Sequence, residues 1–245
     1  MNKKTMYLML LTLSLLAGCQ STPSEQDHQL AEVTSMEKVK NYDGLINHYK
    51  SQLEQGSQDP VVKQKLAWAY FYKGDIESAD FYAQHLKKEG IENPDLYQLE
   101  GQVFDAKNDT DSAIAAYIAS VEAGNRAGQI HVLLGVSYTK IGQYEKAYQE
   151  LNLARLRGYN DVVVKNNIAM IQMANGEYQR AIETLAPVLK EEPTNQIVKA
   201  NLAIALMKTQ QIDSAQKLLK GDFSAQEIQV IAAELTQLGV SDEAS

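Results

Sequence analysis

Ala67, Gly101, Gly135, Ala169 and Ala203 stand 34 residues apart, and each is followed twelve residues later by an alanine: Ala79, Ala113, Ala147, Ala181 and Ala215. Ten small residues in one register constrain this chain more than any bulk property. A period of this length belongs to chains that stack one supersecondary unit upon itself. A small residue in one helix and another in the next let two backbones approach closely, and larger side chains fill the space between. The larger positions keep the same register. Leu66, Leu134, Ile168 and Leu202 precede the first small residue, with Glu100 the exception. Tyr70, Phe104, Tyr138 and Leu206 follow it by three, with Gln172 the exception. Ile76, Tyr144, Tyr178 and Ile212 follow it by nine, with Thr110 the exception.

The punctuation repeats as well. Asp59, Asn93, Asp161 and Asn195 are good helix N-cap types at one register position, where Ala127 is the exception. Pro60 and Pro94 follow two of them, at the first helical position, where a missing N–H costs nothing. Gly74, Asn108, Gly142 and Gly176 stand between the two helices of a unit and accept left-handed backbone. Val33, Tyr42 and Leu45 fall in register one unit earlier. At the other end, Ser224 and Glu227 make a capping box ahead of an amphipathic run over 225–238.

These residues resemble the tetratricopeptide repeat, a helix-turn-helix unit of 34 residues, down to Pro193 at its closing proline position. The expected fold is all-α: a right-handed tetratricopeptide-repeat superhelix, or solenoid, held by nearest-neighbour stacking. Residues 28–58 are expected as a degenerate N-terminal helical pair, 59–222 as five repeats, and 223–245 as a capping helix and tail. Such arrays need a cap over their last apolar face.

The start of the chain obeys different rules. Lys3 and Lys4 precede an apolar run from Met6 to Leu16, too short for the roughly 20 residues that span a bilayer and suited to a secretory leader. Leu16-Ala17-Gly18-Cys19 resembles the lipobox of bacterial lipoproteins. That resemblance implies a signal peptide over 1–18 and a covalent lipid on Cys19, the only cysteine. Two or three acyl chains hold a protein on a membrane where one does so only marginally. Gln20 stands where an Asp would resemble an inner-membrane retention signal, so the expected location is the periplasmic face of the outer membrane. The polar stretch 19–27 reads as a flexible tether.

The net charge is −8, and an acidic surface repels phosphate backbones, so nucleic acid is not an expected partner. No metal-ligand spacing, phosphate loop or nucleophile motif occurs. His28, His48, His85 and His131 lie far apart, with no carboxylate or cysteine set to join them. No enzyme activity, no cofactor beyond the lipid and no small-molecule substrate are expected.

In the resembled repeat, certain first-helix positions line the concave face. Here they place Trp68 and Phe71 near the N-terminal end, and Asn166, Asn167, Met170, Met173, Asn201 and Met207 in the fourth and fifth repeats. Amides can hydrogen-bond an extended peptide, and methionine adapts to varied apolar side chains. Two readings stand for them: a groove for a protein segment, or amides that satisfy backbone groups and methionines that pack between helices. The bases that would clamp a C-terminal carboxylate are missing from most of these positions, Lys65 being the one base.

The lipobox, the small size, the five-repeat array and the "RGYND…KNNIA" of the fourth repeat together are similar to the TadD family. These are repeat lipoproteins of the tight-adherence (Flp, type IVb) pilus apparatus. That resemblance implies a non-enzymatic assembly factor tethered by Cys19, with a pilus secretin or another assembly component as partner. A type IVa pilotin and a scaffold for peptidoglycan hydrolases are the two alternatives of similar build.

Overall fold

The computed structural model describes residues 25–242. Cys19 and the leader-like segment therefore lie outside the described residues. Thirteen helices and no strand occur among those described. The chain divides into two compact units, one up to residue 57 and one from residue 58.

The first unit is a helical pair, α1 (Glu25–Lys38) and α2 (Tyr42–Glu54). Val33, Leu45, Ile46 and Tyr49 are its buried residues. Asn41 caps α2 by accepting the Gly44 N–H at 3.0 Å. A Cβ on Gly44 would lie 2.6 Å from Met36 Sδ, so α2 meets α1 without room for a side chain. Helix α1 begins at Glu25, which takes residues 25–27 from the expected tether into the helix. Glu and Gln are good helix formers.

The second unit holds five helix pairs: α3 (Pro60–Lys73) and α4 (Ile76–Lys88), α5 (Pro94–Ala106) and α6 (Thr110–Glu122), α7 (Gly128–Lys140) and α8 (Tyr144–Leu156), α9 (Asp161–Ala174) and α10 (Tyr178–Glu191), α11 (Gln196–Lys208) and α12 (Ile212–Leu218). A single helix, α13 (Ala225–Asp242), follows. The ten small residues of the register are all buried. Their choice tracks the residue they face. A Cβ on Gly101 would lie 2.3 Å from Tyr117 Cε1, and one on Gly135 would lie 2.8 Å from Leu151 Cγ. Tyr117 is fully buried, so glycine makes room for the largest ring of the core. Burial pushes the Tyr117 hydroxyl far above the ordinary tyrosine range, and the nearby Asp105 carboxylate adds to this.

The exceptions in the register have local reasons. Glu100, where other repeats carry Leu or Ile, is buried and takes Lys87 Nζ at 3.1 Å. Gln172, at the aromatic position, is buried and accepts the Thr184 hydroxyl at 2.9 Å. Both polar heads are thereby satisfied rather than orphaned. The cap of α9 is Asn160, which accepts the Val163 N–H at 3.0 Å; Asp161 is the first helical residue instead. Ala127 offers no side-chain cap to α7. The turn before α12 uses Gln210 at φ 60°, where earlier repeats place Gly or Asn.

The expected closing helix is present. Ser224 and Glu227 form the capping box, with Glu227 accepting the Ser224 N–H at 2.7 Å and Ser224 Oγ accepting the Glu227 N–H at 3.2 Å. Ile228 and Ala232 then enter the core shared by Leu202, Leu206 and Met207.

Candidate functional site

Three of the four successive pairs of first helices in the second unit touch: α3 with α5, α7 with α9, and α9 with α11. Successive second helices make no contact of that extent among the described residues. The first helices therefore lie on the inside of the curve, and the side chains they leave uncovered form its inner face.

At the C-terminal end of this face, Val163 and Met170 on α9 stand one repeat before Ile197 and Ile204 on α11. All four apolar side chains are exposed, by 37, 42, 67 and 36%. Between the two stripes, Asn201 Nδ2 donates to Asn166 Oδ1 at 2.8 Å. The two amides thus form one rung across adjacent repeats. Asn167 turns to its own helix and donates to the Val163 carbonyl at 2.9 Å. Met170 faces out, Met173 packs partly against the C-terminal core, and Met207 is 3% exposed within it. Met207 is therefore a core residue and not a groove residue. Its position is the last of the array, and the core that α13 closes includes it.

The N-terminal end is aromatic and polar. Trp68 stacks on Tyr72, with centroids 5.4 Å apart and planes 21° apart, and meets Phe71 edge-on at 5.9 Å. Phe71 packs partly against the core of α3 to α5. The Trp68 Nε1–H donates to Asp95 Oδ2 at 2.9 Å, and Gln64 Nε2 donates to the same oxygen. Gln64 is buried and held from behind by Asn93, whose Nδ2 donates to Gln64 Oε1 at 3.0 Å. Farther along α5, Asp105 is paired with Lys140 of α7 at 2.8 Å. The sequence pointed to Trp68 and Phe71, whereas Asp95, Val163 and Ile197 were not singled out from it. The 34-residue spacing would have found them: 61, 95, 129, 163 and 197 are one register position, occupied by Val, Asp, Gln, Val and Ile.

An open cavity of about 820 Å³ between α8 and α10 is lined by Tyr144, Tyr148, Asn152, Asn175, Glu177 and Arg180, among others. Glu177 is held there by Arg180 and by Asn175. His131 is buried against Glu150, Nδ1 to Oε2 at 2.7 Å, a packing arrangement across α7 and α8. Among the described residues, no group of three or more His, Cys, Asp or Glu side chains could hold a metal ion. No helix among them is long and apolar enough to cross a membrane.

Two stretches match family models described as tetratricopeptide repeat, residues 99–161 and 172–223. A TPR repeat-containing protein of Methanocaldococcus jannaschii is 26% identical over 170 residues, which covers 62% of this chain and 29% of that protein. The chain thus spans less than a third of the length of that curated relative. Among solved structures, a thermophilic TPR protein of Thermus thermophilus superposes with a TM-score of 0.58 at 18% identity, covering 74% of this chain and 98% of that one. A tetratricopeptide repeat protein of Parabacteroides merdae gives 0.65 at 11% identity, covering 79% and 77%. YrrB, described as a TPR protein with an unusual peptide-binding site, gives 0.56 at 19% identity, covering 77% and 97%. At these identities the likeness is one of fold.

Proposed function

We infer that this chain, an all-α superhelix of tetratricopeptide repeats, is a non-enzymatic adaptor that holds a segment of a partner protein on its inner face. The observation that carries the reading is the pair of exposed apolar stripes on α9 and α11 with the Asn166–Asn201 rung between them. Four exposed apolar side chains at one-repeat spacing are a surface with a use; singly scattered ones would need none. Asn166 and Asn201 each keep part of an amide for the backbone of an extended peptide. The peptide-binding site of YrrB on the same fold supports this reading.

The anchor belongs to the same proposal. Leu16-Ala17-Gly18-Cys19 supports lipidation of Cys19 and attachment to the periplasmic face of the outer membrane. With the TadD resemblance, it makes a secretin or another component of a tight-adherence pilus the proposed partner. Two measurements test the parts separately. Metabolic labelling with palmitate should mark the chain, and Cys19→Ser should abolish both label and membrane fractionation; label retained in the variant would exclude the anchor. A photo-crosslinking residue at 170 or 204 in cells should trap a pilus-assembly component. A trapped murein hydrolase would replace the pilus reading with the cell-wall one.

A further inference from the structure

The inner face holds a carboxylate that no cation among the described residues neutralises. Asp95 is exposed at the start of α5 and makes no ion pair among the described residues. Its neighbour along the same helix, Asp105, has Lys140, and the buried Glu100 has Lys87. Asp95 has only neutral donors, Trp68 and Gln64, and both reach the one oxygen, Oδ2. Its other oxygen, Oδ1, is left open. The supporting side chains are fixed in turn. Gln64 is buried and tied to Asn93, and the indole is braced by Tyr72 and Phe71. A held carboxylate beside a held indole is a combination that selects a cation: the carboxylate supplies charge, and the ring supplies a face with negative potential.

We propose that this corner is a subsite for an arginine side chain of the partner segment, which pairs with Asp95 and lies against Trp68. Arginine fits better than lysine. Its planar guanidinium can donate to a carboxylate and stack on an aromatic ring at once, and it sheds water more readily than an ammonium. The net charge of −8 favours approach of a basic segment over an acidic one. The subsite deepens the adaptor reading and rests on it: the segment's apolar side chains go to the stripes of α9 and α11, and its base goes to α3 and α5. The polarity is opposite to that of a repeat domain that clamps an anionic chain end, for which Lys65 is the one base among the mapped inner-face positions.

Trp68 is the only tryptophan in the chain, so its emission reports on this corner and on nothing else. The experiment titrates the purified full chain with the blocked peptide acetyl-Leu-Gln-Arg-Gln-Leu-amide. A second peptide carries citrulline, an uncharged isostere, in place of arginine. The arginine peptide is expected to change Trp68 emission saturably, with a Kd roughly tenfold lower than the citrulline peptide, and to weaken as salt is raised. Asp95→Asn should erase the difference between the peptides with circular dichroism unchanged, and Asp95→Glu should restore part of it. The wild-type comparison stands alone should Asp95→Asn lose helix content. Equal binding of both peptides would overturn the cation subsite and leave the adaptor reading intact. No emission change with either peptide up to millimolar concentration would also overturn it, while crosslinking from residues 170 and 204 still decides the adaptor reading. A fall in sedimentation mass on Asp95→Asn, without peptide discrimination in the wild type, would assign the carboxylate to a second copy of the chain and overturn the proposal.

Discussion

Trp68 and Met170 hold the same place in the repeat, three units apart, and Asp95 and Val163 hold another, two units apart. In the N-terminal repeats these positions form a braced polar corner, with indole, carboxylate and a buried glutamine bonded together. In the C-terminal repeats they form an open apolar surface with one amide rung. The backbone decides only that these side chains face inward. A rigid corner suits one charged group, whereas a stripe of Met and Ile accepts many apolar ones. The contrast extends to the helix starts. The second helices α4 and α6 are capped by Asp75 and Asp109, while α8, α10 and α12 have no side-chain cap.

The comparison can be broken most severely at Tyr117. Its ring fills the space that Gly101 leaves, so Tyr117→Ala should cost about 3–5 kcal/mol in chemical denaturation. By nearest-neighbour stacking, the loss should open the N-terminal repeats first, which hydrogen exchange would resolve. Next comes the pair of methionines. Met207→Ala removes a core side chain and should cost about 2–4 kcal/mol, whereas Met170→Ala should stay within about 0.5 kcal/mol. Similar costs for both would contradict the assignment of one to the core and the other to the surface. The amide rung is smaller. Asn166→Ala and Asn201→Ala should each cost about 1 kcal/mol, and the double variant should cost less than their sum, because one bond is lost either way.

Acid provides the mildest test, and its sign follows from the caps. The Ser78 backbone N–H and hydroxyl hold the Asp75 carboxyl below its ordinary value of 3.8. The Ser112 hydroxyl and backbone N–H do the same for Asp109. A carboxyl lowered in the folded state contributes stability that is complete above the ordinary value and is lost as pH falls through the folded one. Amide protection at the starts of α4 and α6 should therefore weaken as pH drops below about 4. The starts of α8 and α10, where no side chain caps a first-turn backbone N–H, should not share that step. Hydrogen exchange at graded pH measures both in one sample.

Much of this was legible in the residues. Period, helix pairing, turn glycines and the closing helix all follow from local chemistry that repeats every 34 residues. Local chemistry does not settle the fate of a side chain that depends on a distant neighbour. Met207 shares its register with Phe71 and Met173, which are only partly buried, but it lies in the one repeat whose neighbour is α13, so it is buried. Asn160 took the cap from Asp161 because its side chain reaches the Val163 N–H. Asp95 has the look of an ordinary first-turn acid, and only its bonds to Trp68 and Gln64 of the preceding repeat set it apart.

The sequence by itself determined that this chain stacks helical pairs, because periodicity and small-residue spacing are properties of one unit read in order, and the resemblance to the tetratricopeptide repeat implied which first-helix faces turn inward. Only the tertiary structure decided which inward side chains stay open to a partner. That outcome depends on contacts between residues about a repeat apart, which no single unit contains.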